Sequence, residues 1–176
     1  MLPLIIAPHP LLRQVAAPID LSAGGLKLRS FVKKMYKAML HYDGIGLAAP
    51  QVGQSVRLMV MNTPGEPTVY FNPEILKTSW RKIVIEEGCL SVPDVYGLVK
   101  RPARIQVRYQ TLMGEIKQEW LDDLWARVYQ HEVDHLNGVL FIDLTRDFLQ
   151  GKELLNHYLG ASAGTNKNVK SYTRRR

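Results

Sequence analysis

The chain has 176 residues, 46% hydrophobic and 22% charged, a composition that suits one globular domain with a sizeable core. Its single cysteine, Cys89, excludes an intramolecular disulfide and gives no sign of an oxidising compartment, so a cytoplasmic protein is expected. Of the formal charge of +7, five units come from Lys167, Lys170, Arg174, Arg175 and Arg176 after the last acid, Glu153, so the rest of the chain is nearly balanced.

The opening MLPLIIAPHP lacks a basic leader and is broken by Pro3 and Pro8, and no apolar run approaches the ~20 residues of a membrane span. The protein is therefore expected to stay where it is made, with no membrane partner. Residues 25–41 place Leu28, Phe31, Val32, Met35 and Met39 at helical spacing with Lys33, Lys34 and Lys37 between them, which predicts an amphipathic helix ending at Asp43 and Gly44. Short β-branched runs bounded by Gly and Pro predict strands at Ser55 to Met61, Thr68 to Phe71 and Ile83 to Glu86. A hairpin follows: Ile105, Val107 and Tyr109 alternate with polar residues, a turn passes through Met113 and Gly114, and Glu115 to Leu121 returns with Ile116 and Trp120.

Next comes HEVDH, His131 to His135. On a helix, residues four apart share a face, so both imidazoles can reach one ion while Glu132 stands beside an open coordination position where water is the natural nucleophile. Leu124, Val128, His131 and His135 form one stripe, while Trp125, Tyr129, Val133 and Leu136 make the other faces apolar, so the helix is expected to be buried and to stop at Gly138. Burying these polar groups without partners would cost several kcal/mol, which favours a metal over a merely structural pair of histidines. A further helix is expected over Thr145 to Tyr158. Together these elements predict an α+β fold in which antiparallel sheets pack around a central buried helix carrying HExxH, with a C-terminal helix. Residues 1–164 are expected to form one catalytic metallohydrolase domain and residues 165–176 a basic, flexible tail, either solvated or an electrostatic foothold on RNA.

Two histidines leave a metal underliganded. The continuation HExxHxxGxxH fails at Phe141, which cannot bind metal. Glu153, 18 residues beyond His135, offers a carboxylate of the kind some peptidases use, without a supporting pattern around it. Cys89, upstream in EEGCLSVP, offers a sulfur from a loop after a strand.

Three blocks, GIGLAAPQ at Gly44 to Gln51, EGCLS at Glu87 to Ser91 and QHEVDH at Gln130 to His135, make most of residues 5–160 similar to the peptide deformylases, which remove the formyl group from the N-terminal methionine of new proteins in bacteria and organelles. The resemblance implies Cys89, His131 and His135 as metal ligands, Glu132 as general acid/base, and one divalent ion, Fe(II), with Zn(II), Ni(II) or Co(II) able to replace it. Beside them the Gln51 amide and the Leu90 backbone N–H suit an oxyanion site. Gly44, Ile45 and Gly46 suit main-chain pairing with an extended peptide, since the glycines permit positive φ or close backbone approach. The resemblance also gives Glu87 and Arg101 a supporting role around Cys89. Tyr96 stands where some members carry arginine, which affects rim contacts rather than the chemistry. The expected partners are N-formyl-methionyl nascent chains and, through the tail, the ribosome, with no sequence-specific nucleic-acid binding. The competing functions are an HExxH metallopeptidase using Glu153, and a non-catalytic RNA- or ribosome-binding module.

Overall fold

The computed structural model describes residues 1–22, 25–65 and 67–160, so the basic tail lies outside the described residues. The fold is α+β. Helix α1 (Gly25–His41) is followed by strands β1 (Gly46–Ala48), β2 (Leu58–Met61), β3 (Thr68–Thr78), β4 (Lys82–Cys89), β5 (Val92–Pro102), β6 (Arg104–Gln110) and β7 (Ile116–Asp122). Helix α2 (Asp123–Leu136), the short strand β8 (Phe148–Gln150) and the short helix α3 (Leu155–Leu159) complete it. The strands form two antiparallel sheets, one in the order β1-β2-β3-β6-β7 and one in the order β4-β5-β8.

Helix α1 buries Leu28, Met35, Ala38 and Met39 and exposes Lys33, Lys34 and Lys37, as its period requires. The chain leaves it through Asp43 at φ 56, and the N–H of Gly44 bonds to the carbonyl of Met39 at 2.9 Å. Helix α2 contributes Ala126, Tyr129, Val133 and Leu136 to a core shared with Met59, Met61, Tyr70, Ile105 and Val107. It packs against β1, β2, β3, β6 and β7 of the first sheet and β5 of the second. Gly138 ends the turn after α2 at φ 71, where a Cβ would lie 2.6 Å from the carbonyl oxygen of Arg13.

Three regions depart from the sequence reading. Strand β3 runs well past Phe71 because an irregularity between Phe71 and Glu74, with Asn72 at φ 49, absorbs Pro73 and lets pairing with β6 resume. Strand β5 was not legible: prolines stand at 93 and 102, and the residues buried in alternation are Val95, Gly97, Val99 and Arg101, of which only the valines look like core. The long helix expected over Thr145 to Tyr158 does not form. Gly97 leaves room for the incoming chain, so Phe148 and Gln150 pair with Gly97 and Tyr96, and Gly151 at φ 73 reverses the chain before the five residues of α3. Ile116 and Trp120 also face solvent, because they stand opposite Gln110 and Gln106, on the face of the sheet turned away from the buried Ile105, Val107 and Tyr109. No described helix is long and apolar enough to cross a membrane.

Gly138→Ala is expected to destabilise the fold by about 1–3 kcal/mol, since it adds left-handed strain to a collision with rigid backbone. Gly114→Ala, at φ 83 with nothing within 4 Å of the added carbon, carries the strain alone and should cost less. Urea midpoints check the ordering; equal midpoints would refute it.

Candidate metal centre

Cys89 is the last residue of β4, while His131 and His135 lie one turn apart on α2. The fold brings one ligand atom from each within 4.8 Å of one another, with the Cys89 sulfur 3.1 Å from Nε2 of His135. Gln51 sits in the 3-10 turn after β1, 2% exposed, and the Ala48 N–H donates to its Oε1 at 2.8 Å. That bond turns the amide nitrogen toward the sulfur, 3.7 Å away, while the Ser91 N–H lies 3.4 Å from the same sulfur. Glu153 is exposed and outside this group, and Phe141 stacks its ring on His131.

Helix α2 buries five polar or charged side chains, and most find partners. Gln130 donates to the carbonyls of Ala126 and Pro102. Arg101 donates to both oxygens of Glu87, at 2.5 and 2.9 Å, and to Asp134 at 2.7 Å. Arg127 donates to the same Glu87 at 2.5 Å and to the carbonyls of Val99 and Ile83. Glu87 in turn lies 3.0 Å from Nδ1 of His131, which leaves Nε2 as that ring's nitrogen for an ion. Arg127 and Asp134 were missed in the sequence, although a charge inside an apolar helical run was a readable sign of a buried pair.

The electrostatics follow from this geometry. Burial pushes the Glu87 carboxyl up, but hydrogen bonds from Arg101 and His131 together with their positive charge hold it well below the usual range. Burial, with the charges of His131 and Arg101, pushes His135 well below its ordinary value and so keeps its lone pair available. Burial opposes charge at His131 as well, but hydrogen bonds to Cys89 and Glu87 outweigh it, so this position attracts positive charge. Buried polar atoms without a partner include Oε2 of Glu132 and Nδ1 of His135. Burial raises Glu132 to about 7 against the pull of His131 and Arg101. One thiol and two imidazoles, converging beside an uncommitted carboxylate, fit a borderline-soft divalent ion with room for a further ligand.

A cleft of about 670 Å³ opens over this group, lined among others by Gly44, Ile45, Gly46, Leu90, Tyr96 and Glu132. A Cβ on Gly46 would collide with the Glu132 carboxylate and come within 2.8 Å of Val128, so close approach, not positive φ, is what this glycine provides. Gly44 likewise admits the Leu90 side chain, and Gly88 admits the Tyr96 ring. The structure thus lines one cleft with Cys89, His131, Glu132, Gln51, Leu90 and Glu87, with His135 beside the Cys89 sulfur and Arg101 behind Glu87.

The sequence pattern of the polypeptide deformylases matches residues 1–150. A peptide deformylase of Thermotoga neapolitana is 48% identical over 134 residues, which cover 76% of this chain and 80% of that one. The crystal structure of peptide deformylase from Thermotoga maritima superposes with a TM-score of 0.79 at 44% identity, covering 82% of this chain and 97% of that one. A Met-Ala-Ser-bound class I type b peptide deformylase from Acinetobacter baumannii superposes with a TM-score of 0.79 at 37% identity, covering 82% and 98%. The chain belongs to the polypeptide deformylase family, metal-dependent hydrolases that remove the formyl group from nascent polypeptides.

Proposed function

We propose that Cys89, His131 and His135 hold one divalent ion and that Glu132 carries the proton in hydrolysis of the N-formyl group from formyl-methionyl chains, with residues 1–164 as the catalytic domain and α2 as its central element. The observation that carries this reading is the convergence of three ligand atoms within 4.8 Å beside the Glu132 carboxylate, whose Oε2 has no partner. The donor set suits Fe(II), the preferred assignment, and equally Zn(II), Ni(II) or Co(II). Such an ion supplies Lewis acidity to the formyl carbonyl and acidifies water.

Glu132 accepts the proton of the attacking water at its free Oε2 and later gives it to the departing amine. A pKa of about 7 suits both transfers at neutral pH. The formyl oxygen becomes an anion as the carbon turns tetrahedral. The Gln51 amide, already aimed toward Cys89, and the Leu90 N–H donate to it. Gly44, Ile45 and Gly46 lead into and form β1, an end strand of its sheet, so an extended chain can pair along its outer edge without regard to side chains. Arg127, from behind, ties α2 to β4 and β5 and with Arg101 fixes the carboxylate that orients His131. A cytoplasmic setting suits this substrate, and the basic residues of 165–176 offer a foothold on the ribosome.

Glu132→Gln is expected to retain a full complement of metal by elemental analysis while formate release from a formyl-Met peptide falls by about 10²–10⁴. Near-normal turnover would remove Glu132 from the mechanism. Cys89→Ser is expected to lose the metal; full retention would exclude the sulfur as a ligand. For Arg127→Met we expect metal affinity to weaken about 10–100-fold with partial recovery in Arg127→Lys, read by chelator competition. Unchanged affinity in both would assign Arg127 to packing alone.

A further inference from the structure

Trp80 is 93% exposed at the tip of the turn between β3 and β4, an unusual position for a residue whose apolar body favours burial. Its surroundings are basic. Lys77, Arg81, Lys82, Lys100 and Arg104 are all exposed, and the register gathers them at one corner. The Ser79 N–H donates to the Arg104 carbonyl at 2.8 Å, and the Ala103 N–H donates to the Arg81 carbonyl at 2.9 Å, so the turn carrying Trp80 is held against the start of β6. Lys77, Gln106 and Trp120 form one cross-strand row, and the Arg104 guanidinium lies 4.8 Å over the Trp120 ring. In the second sheet Lys82 stands opposite Pro102 and Lys100 opposite Val84, two residues along the same face. Against these cations stand Asp122, 3.3 Å from Arg104 in an exposed pair of little strength, and Asp123, whose N–H bonds to Ala103.

We propose that this corner binds single-stranded RNA. Lysines and arginines around an open indole meet two requirements of a nucleic-acid strand at once, since phosphates take the cations and a base stacks on the aromatic face. The Arg104–Trp120 pair provides a second planar surface, on β6 and β7 of the same sheet. An acidic protein would answer the charge but leave the Trp80 face unused. A duplex is the poorer fit, because the corner presents a turn and flat strands rather than an element that enters a groove. The choice of RNA rests on the proposed substrate, a nascent chain made on an RNA-rich particle; the surface itself is distinct from the cleft and shares no residue with it.

The test uses the full chain and a short fluorescein-labelled oligouridylate, followed by anisotropy across a salt series. Trp80→Ala is expected to weaken binding about tenfold through loss of stacking, while formate release from a formyl-Met peptide stays at the parent rate. Arg81→Ala with Lys82→Ala is expected to flatten the salt dependence by about 0.7 for each phosphate that the variant no longer neutralises. The proposal is overturned if Trp80→Ala binds as tightly as the parent, which would put the affinity elsewhere, or if polyglutamate displaces the RNA as effectively as unlabelled oligouridylate. Absence of formate release from the metal-loaded parent would count against the proposed reaction alone, because Trp80-dependent RNA binding would still support the surface.

Discussion

The carboxylate of Glu87 receives Arg101 from β5 and Arg127 from α2, and faces Nδ1 of His131 across 3.0 Å. Strand β4, strand β5 and helix α2 meet at this group. It stands two residues before Cys89 on β4, so the strand that ends in the sulfur is the strand that the two guanidiniums tie to the helix of histidines. Stability alone is a poor explanation for such a network, because replacing a buried ion pair with apolar residues of similar shape is often neutral or stabilising. What the ions supply is distance and orientation. Its carboxyl is held well below the ordinary value of 4.5, so the pairs persist through the neutral range and are lost only as pH falls through that lowered value.

A second constraint works from the other side. The backbone of β1 comes close to α2 at Gly46, where an added Cβ would meet the Glu132 carboxylate, so the missing side chain leaves that carboxylate its place. Burial raises its pKa to about 7, and no hydrogen bond reaches its Oε2 within the described residues. Of the polar groups that α2 buries, Arg127, Gln130 and Asp134 are consumed by structure, while Glu132 keeps a free oxygen. Which strands these groups face thus decides which of them are bound up in structure and which keeps an oxygen free for the proposed chemistry.

The sequence was most legible where the physics is local. Two histidines four residues apart with an adjacent glutamate declare a common helical face, and the 25–41 helix shows its buried stripe in the order of its residues. The proposed third ligand, a sulfur, was not legible by periodicity, since its approach to His135 depends on a contact spanning 46 residues; only the resemblance chose it over Glu153. Strand β5 stayed hidden because its inward positions include Gly97, chosen for space, and Arg101, chosen for charge. The C-terminal segment read as a helix because Leu, Lys and Glu favour one. Pairing with β5 and the left-handed Gly151 overrode that preference.

Strand β4 also sets the spatial relation between cleft and basic corner. It runs from Lys82, beside Trp80, to Cys89, and at the rise of an extended strand these seven steps span about 23 Å. An RNA strand seated on Trp80 and Lys82 would therefore leave the cleft clear. The same separation limits how a substrate could be delivered: a chain end emerging beside that RNA would need about seven extended residues to reach the proposed ligands. The proposed pairing edge at β1 would make no demand on side chains, so the length of chain that has emerged, rather than its composition beyond the first residue, would decide when hydrolysis becomes possible.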